Sequence, residues 1–410
     1  MDEEAPKVTI LLPNDGQGLT VPDTLVVTVR VSDNVLVQNV VFTLTDENGI
    51  PQAPSVSASV EAGSAQLTRD IPVTDQRLPS GTYTLAVRAG DGTNSGSDFR
   101  SIQLTAAPLR LRSAFAVHPS SGGSFQVTRI DSVQNILPFG TFAQDLNGAL
   151  ADGHAQRLLF AGEVTGPLLG VDPDLGTTVW QIANTNGTGT AFFTALDPAG
   201  QGSTAHATNN GFLRRVNSST GSITVTASLN ANRIAVKTHV QDGLWVTEQR
   251  TVGSTQRHLV TYALASGAPL QQFVLDKEVV FMGRRDPQHV LLFGNRNGDG
   301  VIEDRNIDQG GYWEPRVFVG SPIGAVARQD ENVWFVALPD ELVRFTYASA
   351  GVVTIGTGST YAALHYDAAN GWLWGATGNM VHVMDPMNGN LVASLDTGAE
   401  VAYLLLLFNR

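Results

Sequence analysis

The most specific chemical pattern in the chain is Asn295-Arg296-Asn297-Gly298-Asp299-Gly300-Val301-Ile302-Glu303. Side-chain oxygens stand at loop positions one, three, five and nine, with glycine at six and an apolar residue at eight. Calcium is a hard cation that takes six to eight oxygens, and a tight loop can wrap them around it. In this reading Asn295, Asn297, Asp299 and Glu303 supply side-chain oxygens and Val301 its carbonyl. Gly300 permits the bend and Ile302 anchors the loop, so the ion is structural. Asparagines at positions one and three leave Asp299 and Glu303 as the charges, with Asp304 or Asp308 as a third. That implies weak binding, ~10⁻⁴–10⁻³ M. The alternative is a plain hairpin, because Asn-Gly-Asp-Gly is strong turn chemistry by itself.

Other candidate groups are scattered. Glu163, Glu248 and Asp340 each follow a predicted second strand, which places them at one rim of a repeated structure. Two carboxylates about 5–9 Å apart there would suit glycoside hydrolysis. Arg284 and Arg285 end an inner strand and could clamp an anion; solvated rim charges are the competing reading. His239 and His365 fall on predicted inner strands, where they would face a central channel. The eight histidines form no HExxH pair. No GxSxG elbow, Walker loop or dinucleotide fingerprint occurs in strand–helix context. Tyr312 and Trp313, within GGYWEP, could present a flat face to a sugar or a peptide.

These groups must be positioned by strands. Gly 42 of 410 residues and only 15% charged residues, against roughly 25% charged in ordinary domains, indicate an all-β chain rich in tight turns. Net charge is −13, which repels phosphate backbones and excludes non-specific nucleic-acid binding. Cysteine is absent, which removes thiol catalysis, thiolate metal sites and disulfides. No run reaches the ~18 apolar residues of a membrane span. The short acidic start runs directly into a strand, and we expect an export signal, with a lipid-attachment cysteine, to have preceded it.

Short strands over 7–12, 25–31, 39–44, 65–71, 83–89 and 100–104, separated by turn residues, predict a β-sandwich. The phrases PNDGQGL, VRVSDNVLVQNVVF and LPSGTYTLAVRAGDGTNSGS resemble bacterial immunoglobulin-like modules of surface and secreted proteins. The resemblance implies a spacer or a partner-binding arm over residues 1–107. Asp33 and Asp91 sit where such modules place turn-capping or cation-binding carboxylates, and turn capping is the simpler role.

From 108 to 410 the chain repeats at roughly 40–45 residues, a propeller period. Four copies share a hairpin: GVDPDLG, RVNSSTG, TYALASG and VMDPMNG. Glycine supplies positive φ there, and Asp or Asn caps the turn. The hairpin is similar to that of quinoprotein-like and YVTN-type propellers. Six blades span about 147–185, 187–229, 231–275, 276–320, 321–358 and 359–398. The first, from 109, has only three strands, and the apolar run VAYLLLLF at 401–408 is expected to supply its inner strand. The fold class is therefore an immunoglobulin-like β-sandwich plus a seven-bladed β-propeller closed by the C-terminal strand. The calcium pattern also resembles the loops of EF-hands, dockerins and integrin propellers, and the hairpin version of the last fits best.

The expected function is a non-enzymatic exported binding or scaffold protein of the cell surface or periplasm, with a protein or glycan ligand. The alternative is a propeller enzyme acting on polysaccharide. A quinone-dependent dehydrogenase is disfavoured, because the adjacent cysteines and regular tryptophan motifs of that family are missing.

Overall fold

Alternation is the first cause of the N-terminal structure. Leu25, Val27, Val29 and Val31 point to one face and are buried, while Val26, Thr28 and Arg30 lie on the other. A computed structural model describes residues 4–120, 123–187, 189–200 and 202–410. It contains two compact units, Met1–Pro108 and Leu109–Arg410.

The first unit has strands Lys7–Leu12, Gln17–Thr20, Asp23–Thr45, Val56–Val73, Gly81–Gly90 and Ser95–Thr105. The segments expected as separate strands at 25–31 and 39–44 are one 23-residue strand. Its first half pairs with Lys7–Leu12, and its second half pairs with Gly81–Gly90. One strand can serve both halves because the ladder shifts register between Ser32 and Val37. At that bend the Asp33 carboxylate accepts the N–H groups of Val35 and Leu36, at 2.9 and 3.0 Å. Asp91 caps its turn the same way, from Thr93 and Asn94. The Tyr83 hydroxyl donates to the Pro79 carbonyl at 3.1 Å, the corner bond typical of immunoglobulin-like sandwiches.

The second unit is seven four-stranded antiparallel sheets. Each inner strand touches the inner strands on both sides in cyclic order, and the last touches the first. The array is therefore a closed ring of seven blades. Blade 1 takes its inner strand, Tyr403–Phe408, from the C-terminus and its other three, Leu111–Ser120, Ser124–Asp131 and Ile136–Phe142, from the start of the unit. The closing ladder runs from Tyr403↔Val117 to Phe408↔Leu111. Blades 2 to 7 begin at Gly148, Phe193, Arg233, Glu278, Ala325 and Ala363. Among the described residues no helix is long and apolar enough to cross a membrane.

The repeated hairpin does two jobs. Asp172, Asn217 and Asp385 accept backbone N–H groups within their own turns, and each turn's glycine N–H closes onto the carbonyl of the capping residue. Asn306, whose turn ends at Gly310, repeats the arrangement and was missed in the sequence. The glycine is also where neighbouring blades touch. A Cβ on Gly389 of blade 7 would stand 1.9 Å from the Ile355 carbonyl oxygen of blade 6, and one on Gly267 2.6 Å from Thr226 of the preceding blade. Trp180 of blade 2 lies over Gly221 of blade 3 and donates its indole N–H to the Ser218 carbonyl at 2.8 Å. The positive φ of +69° at Gly389 costs any other residue ~1–3 kcal/mol, and the clash adds a similar amount. Gly389→Ala is thus expected to lower the melting temperature by several degrees. Gly211→Ala, at φ +86° but facing open space, should cost clearly less. Equal losses in a thermal scan would show that blade contact contributes nothing.

Candidate functional site

The calcium pattern folds as a hairpin. His289–Arg296 and Asp299–Asn306 pair in continuous register, joined by Asn297 and Gly298 alone. Both turn residues have positive φ, +54° and +89°, as a two-residue primed turn requires. Asn295 is committed to the Ile323 backbone, accepting its N–H at 2.7 Å and donating to its carbonyl at 2.9 Å. Asp299 accepts the Gly320 N–H at 2.7 Å. Val301 is buried in the ladder. Glu303 lies four residues beyond Asp299 along an extended strand, or about 13 Å at the usual rise. That exceeds the ~5 Å span across a calcium ion. The five expected ligands do not converge, because the oxygen-rich spacing serves strand alternation rather than a wrapped loop.

Glu303 instead meets a lysine. The Lys277 ammonium, with a fully buried side chain, contacts Asp276 at 2.8 Å, Glu314 at 3.3 Å and Glu303. Arg296 holds Asp276 and Glu314 at 2.7 and 2.8 Å, and Arg305 holds Glu303 at 2.6 Å. Three cations thus match three carboxylates. Burial alone would lower the Lys277 pKa, but its bonds to Asp276 and Glu303 outweigh it and the net shift is upward. Burial raises Asp276, and its bonds to Lys277 and Arg296 overcome this and hold it near about 2. The Asp276, Glu303 and Glu314 oxygens lie within 4.8 Å of one another, and the ammonium already serves as their cation.

The other sequence candidates part company. Glu163 is exposed, on a loop whose N–H groups at residues 163 to 166 all point to Asp145. Glu248 is not at a rim. It sits within the second strand of blade 4, fully buried, bonded to Arg257 at 2.5 Å and to the Val279 N–H at 3.1 Å. The two carboxylates thus stand in different surroundings, one exposed on a loop and one buried against Arg257. Arg284 is held between Asp242 and Glu331 and is no free anion clamp. Tyr312 and Trp313 are half-exposed neighbours on one strand, so their rings point to opposite faces and make no common platform. Tyr312 covers the Arg305 guanidinium at 4.3 Å. Trp313 meets the edge of Tyr347 at 6.1 Å, and Tyr347 in turn lies under Arg285 at 4.3 Å. His365 stands on the inner strand of blade 7, as expected, and lines a cavity along the ring axis. Burial pushes it down to about 4, and a bond to the Leu404 backbone offsets part of that.

A large cavity in the propeller was not legible as a motif. It has a volume of about 980 Å³ and lies across blades 2 to 4. Its walls are residues 185–187 and 190–192 of the connection into blade 3, the turn at Asn209 and Asn210, the start of the blade 4 inner strand and the 252–255 hairpin. Phe192, Ile234, Val236 and Val252 give apolar surface; Asn147, Asn186, Asn209, Asn210, Ser254 and Thr255 give amides and hydroxyls. The walls are held by backbone bonds. Phe192 N–H reaches the Glu163 carbonyl at 2.7 Å, Asn209 N–H the Phe192 carbonyl at 2.9 Å, and Val252 N–H the Asn232 carbonyl at 2.8 Å. Arg250 is the single ionisable side chain among the described lining residues. The groove can therefore hold a polar neutral molecule and donate one charged contact. Among its described lining residues none is a carboxylate or a histidine.

Fold and site together define a class: an immunoglobulin-like module joined to a seven-bladed propeller with a neutral polar groove. Residues 6–87 match the bacterial Ig domain family. Over 98% of its length the chain is similar to a quinonprotein alcohol dehydrogenase-like protein of Bacteroides thetaiotaomicron, covering 99% of that chain, with 12% identity and a TM-score of 0.51. It is also similar to the computationally designed Ika8 protein, at 12% identity and a TM-score of 0.50, over 71% of this chain and 89% of that one. At such identity the likeness shows the fold alone. No curated protein matches the sequence.

Proposed function

We propose that the protein is a non-enzymatic binding protein whose propeller holds a neutral, hydroxyl-rich glycan in the groove across blades 2 to 4. The observation that carries this reading is the groove's chemistry. It pairs amide and hydroxyl groups with apolar surface in a volume of about 980 Å³, at the upper end of ligand sites. Sugars present the same mixture of hydroxyls and apolar ring faces. The immunoglobulin-like unit acts as spacer or arm. The match to the bacterial Ig domain supports an exported setting, at the cell surface or in the periplasm. Recovery of the native protein wholly from the cytosolic fraction would contradict that setting.

The test is calorimetric titration of the full chain with a panel of neutral oligosaccharides. At least one should bind saturably. Arg250→Ala and Asn210→Ala should each weaken it by about fivefold or more, the equivalent of ~1 kcal/mol. Binding by no glycan, or binding untouched by both substitutions, overturns the reading. Binding of peptides alone would point to a protein ligand instead.

A further inference from the structure

The cavity along the ring axis differs from the groove in chemistry. It has a volume of about 540 Å³, and all seven inner strands contribute to its lining. Most of that lining is alanine, leucine and valine. Two side chains in it carry permanent charge, Lys237 from blade 4 and Arg328 from blade 6, and both are positive. No carboxylate stands among the described lining residues, although the chain as a whole carries −13.

Neither cation is matched by a free carboxylate. The Lys237 ammonium has no ion pair or hydrogen bond to any described residue. Asp197 lies near enough to feel its charge, yet that carboxylate accepts the N–H and hydroxyl of Thr238, at 3.0 and 2.9 Å. Glu248 is opposite Lys237 in the ladder but is committed to Arg257 and the Val279 N–H. Arg328 donates to the Asp330 carbonyl at 3.2 Å and is 3.9 Å from Glu331, whose carboxylate is held by Arg284. Burial lowers the Arg328 pKa, the sign of a cation poorly compensated. His365 in the lining and His239 beside it are both pushed down by burial, to about 4, and stay neutral. The His239 Nε2 is buried without a partner.

We propose that this axial cavity is a second binding site, for a small organic carboxylate with an apolar body. The carboxylate would sit between the Lys237 ammonium and the Arg328 guanidinium, and the hydrocarbon part against the alanine and leucine wall. A charge in apolar surroundings without a close counter-ion of its own is costly, and a ligand anion replaces water with a charge-assisted contact. Phosphate or sulfate lacks the apolar part that the wall would cover.

The test uses the full chain and two probes of one shape, benzoate and benzamide, by calorimetry and thermal shift. Benzoate should bind saturably and raise the melting temperature, and benzamide should bind at least tenfold more weakly. Lys237→Met should lose at least tenfold in benzoate affinity, and Arg328→Gln should lose a comparable factor. Arg250→Ala, in the groove, should leave benzoate binding unchanged, which separates this site from the glycan site. Equal binding of benzoate and benzamide, no benzoate binding at millimolar concentration, or unaltered binding by folded Lys237→Met would overturn the proposal. The benzoate–benzamide comparison on the unsubstituted protein decides the matter even where a variant does not fold.

Discussion

Deletion of residues 401–410 is expected to leave little or no soluble, folded protein. Tyr403–Phe408 is the whole inner strand of blade 1. Leu404, Leu405, Leu406 and Leu407 are 1–9% exposed and pack against blades on both sides. Burying each leucine contributes ~1.5–3 kcal/mol, or roughly 6–12 kcal/mol for four. That is comparable with the ~5–15 kcal/mol by which a whole domain is stable. The deletion would also strip the partner from Leu111–Ser120 and open an unpaired edge in the ring, a template for aggregation. Soluble yield and the thermal transition of the truncated chain measure this directly. A truncated protein as soluble and as stable as its parent would mean that the ring is not closed by this strand.

Lys277→Met is expected to be the most damaging single substitution of a charged residue in blade 5. It leaves three carboxylates, Asp276, Glu303 and Glu314, facing two guanidiniums, with Glu303 fully buried. Removing one partner of a buried charge cluster costs about 3–5 kcal/mol, because the partner's charge remains without compensation. Glu303→Gln in the same chain should recover part of the loss, since the excess negative charge then disappears. Additive losses in that double-mutant cycle would show that the contact is not energetically coupled. The network also sets a direction with acid. Asp276 is held at about 2 in the folded protein, below the ordinary carboxylate value of 3.8. A depressed carboxylate contributes stability above its unfolded pKa and loses it as pH falls through the folded one. The parent should therefore weaken between about pH 4 and pH 2. Lys277→Met, which removes one cause of the depression, should show a shallower acid dependence in chemical unfolding.

The blades were legible because their turns are written locally. Gly176, Gly221, Gly267 and Gly389 each close the same kind of turn in a different blade, and each supplies the positive φ that its hairpin needs. The C-terminal leucines were legible for the same reason, as an apolar strand with no blade of its own. The long first-unit strand was not, because the bend at Asp33 looks like a turn between two strands. The calcium pattern was ambiguous because turn chemistry and ligand chemistry use the same residues. Asn-Gly-Asp-Gly satisfies both, and only the pairing of Arg296 with Asp299 separates them. Glu248 was misplaced because its partner, Arg257, is nine residues away but diagonally across a hairpin, two residues from its direct partner Leu259, so spacing along the chain conceals the contact. Arg285 and Trp313 do lie in one cluster, but the residue joining them, Tyr347, comes from the next blade. The groove draws scattered residues from three blades. None of them forms a motif, and asparagine and threonine in loops read as turn chemistry until the ring brings them together.

The most direct test of binding without catalysis is to follow one neutral polysaccharide, incubated with the full chain, for both association and cleavage. The glycan reading predicts a saturable complex, weakened by Arg250→Ala, with no new reducing ends and no unsaturated products after prolonged incubation. Release of new chain ends, at a rate proportional to protein concentration and lost when Glu163 is replaced by glutamine, would contradict it and identify an enzyme.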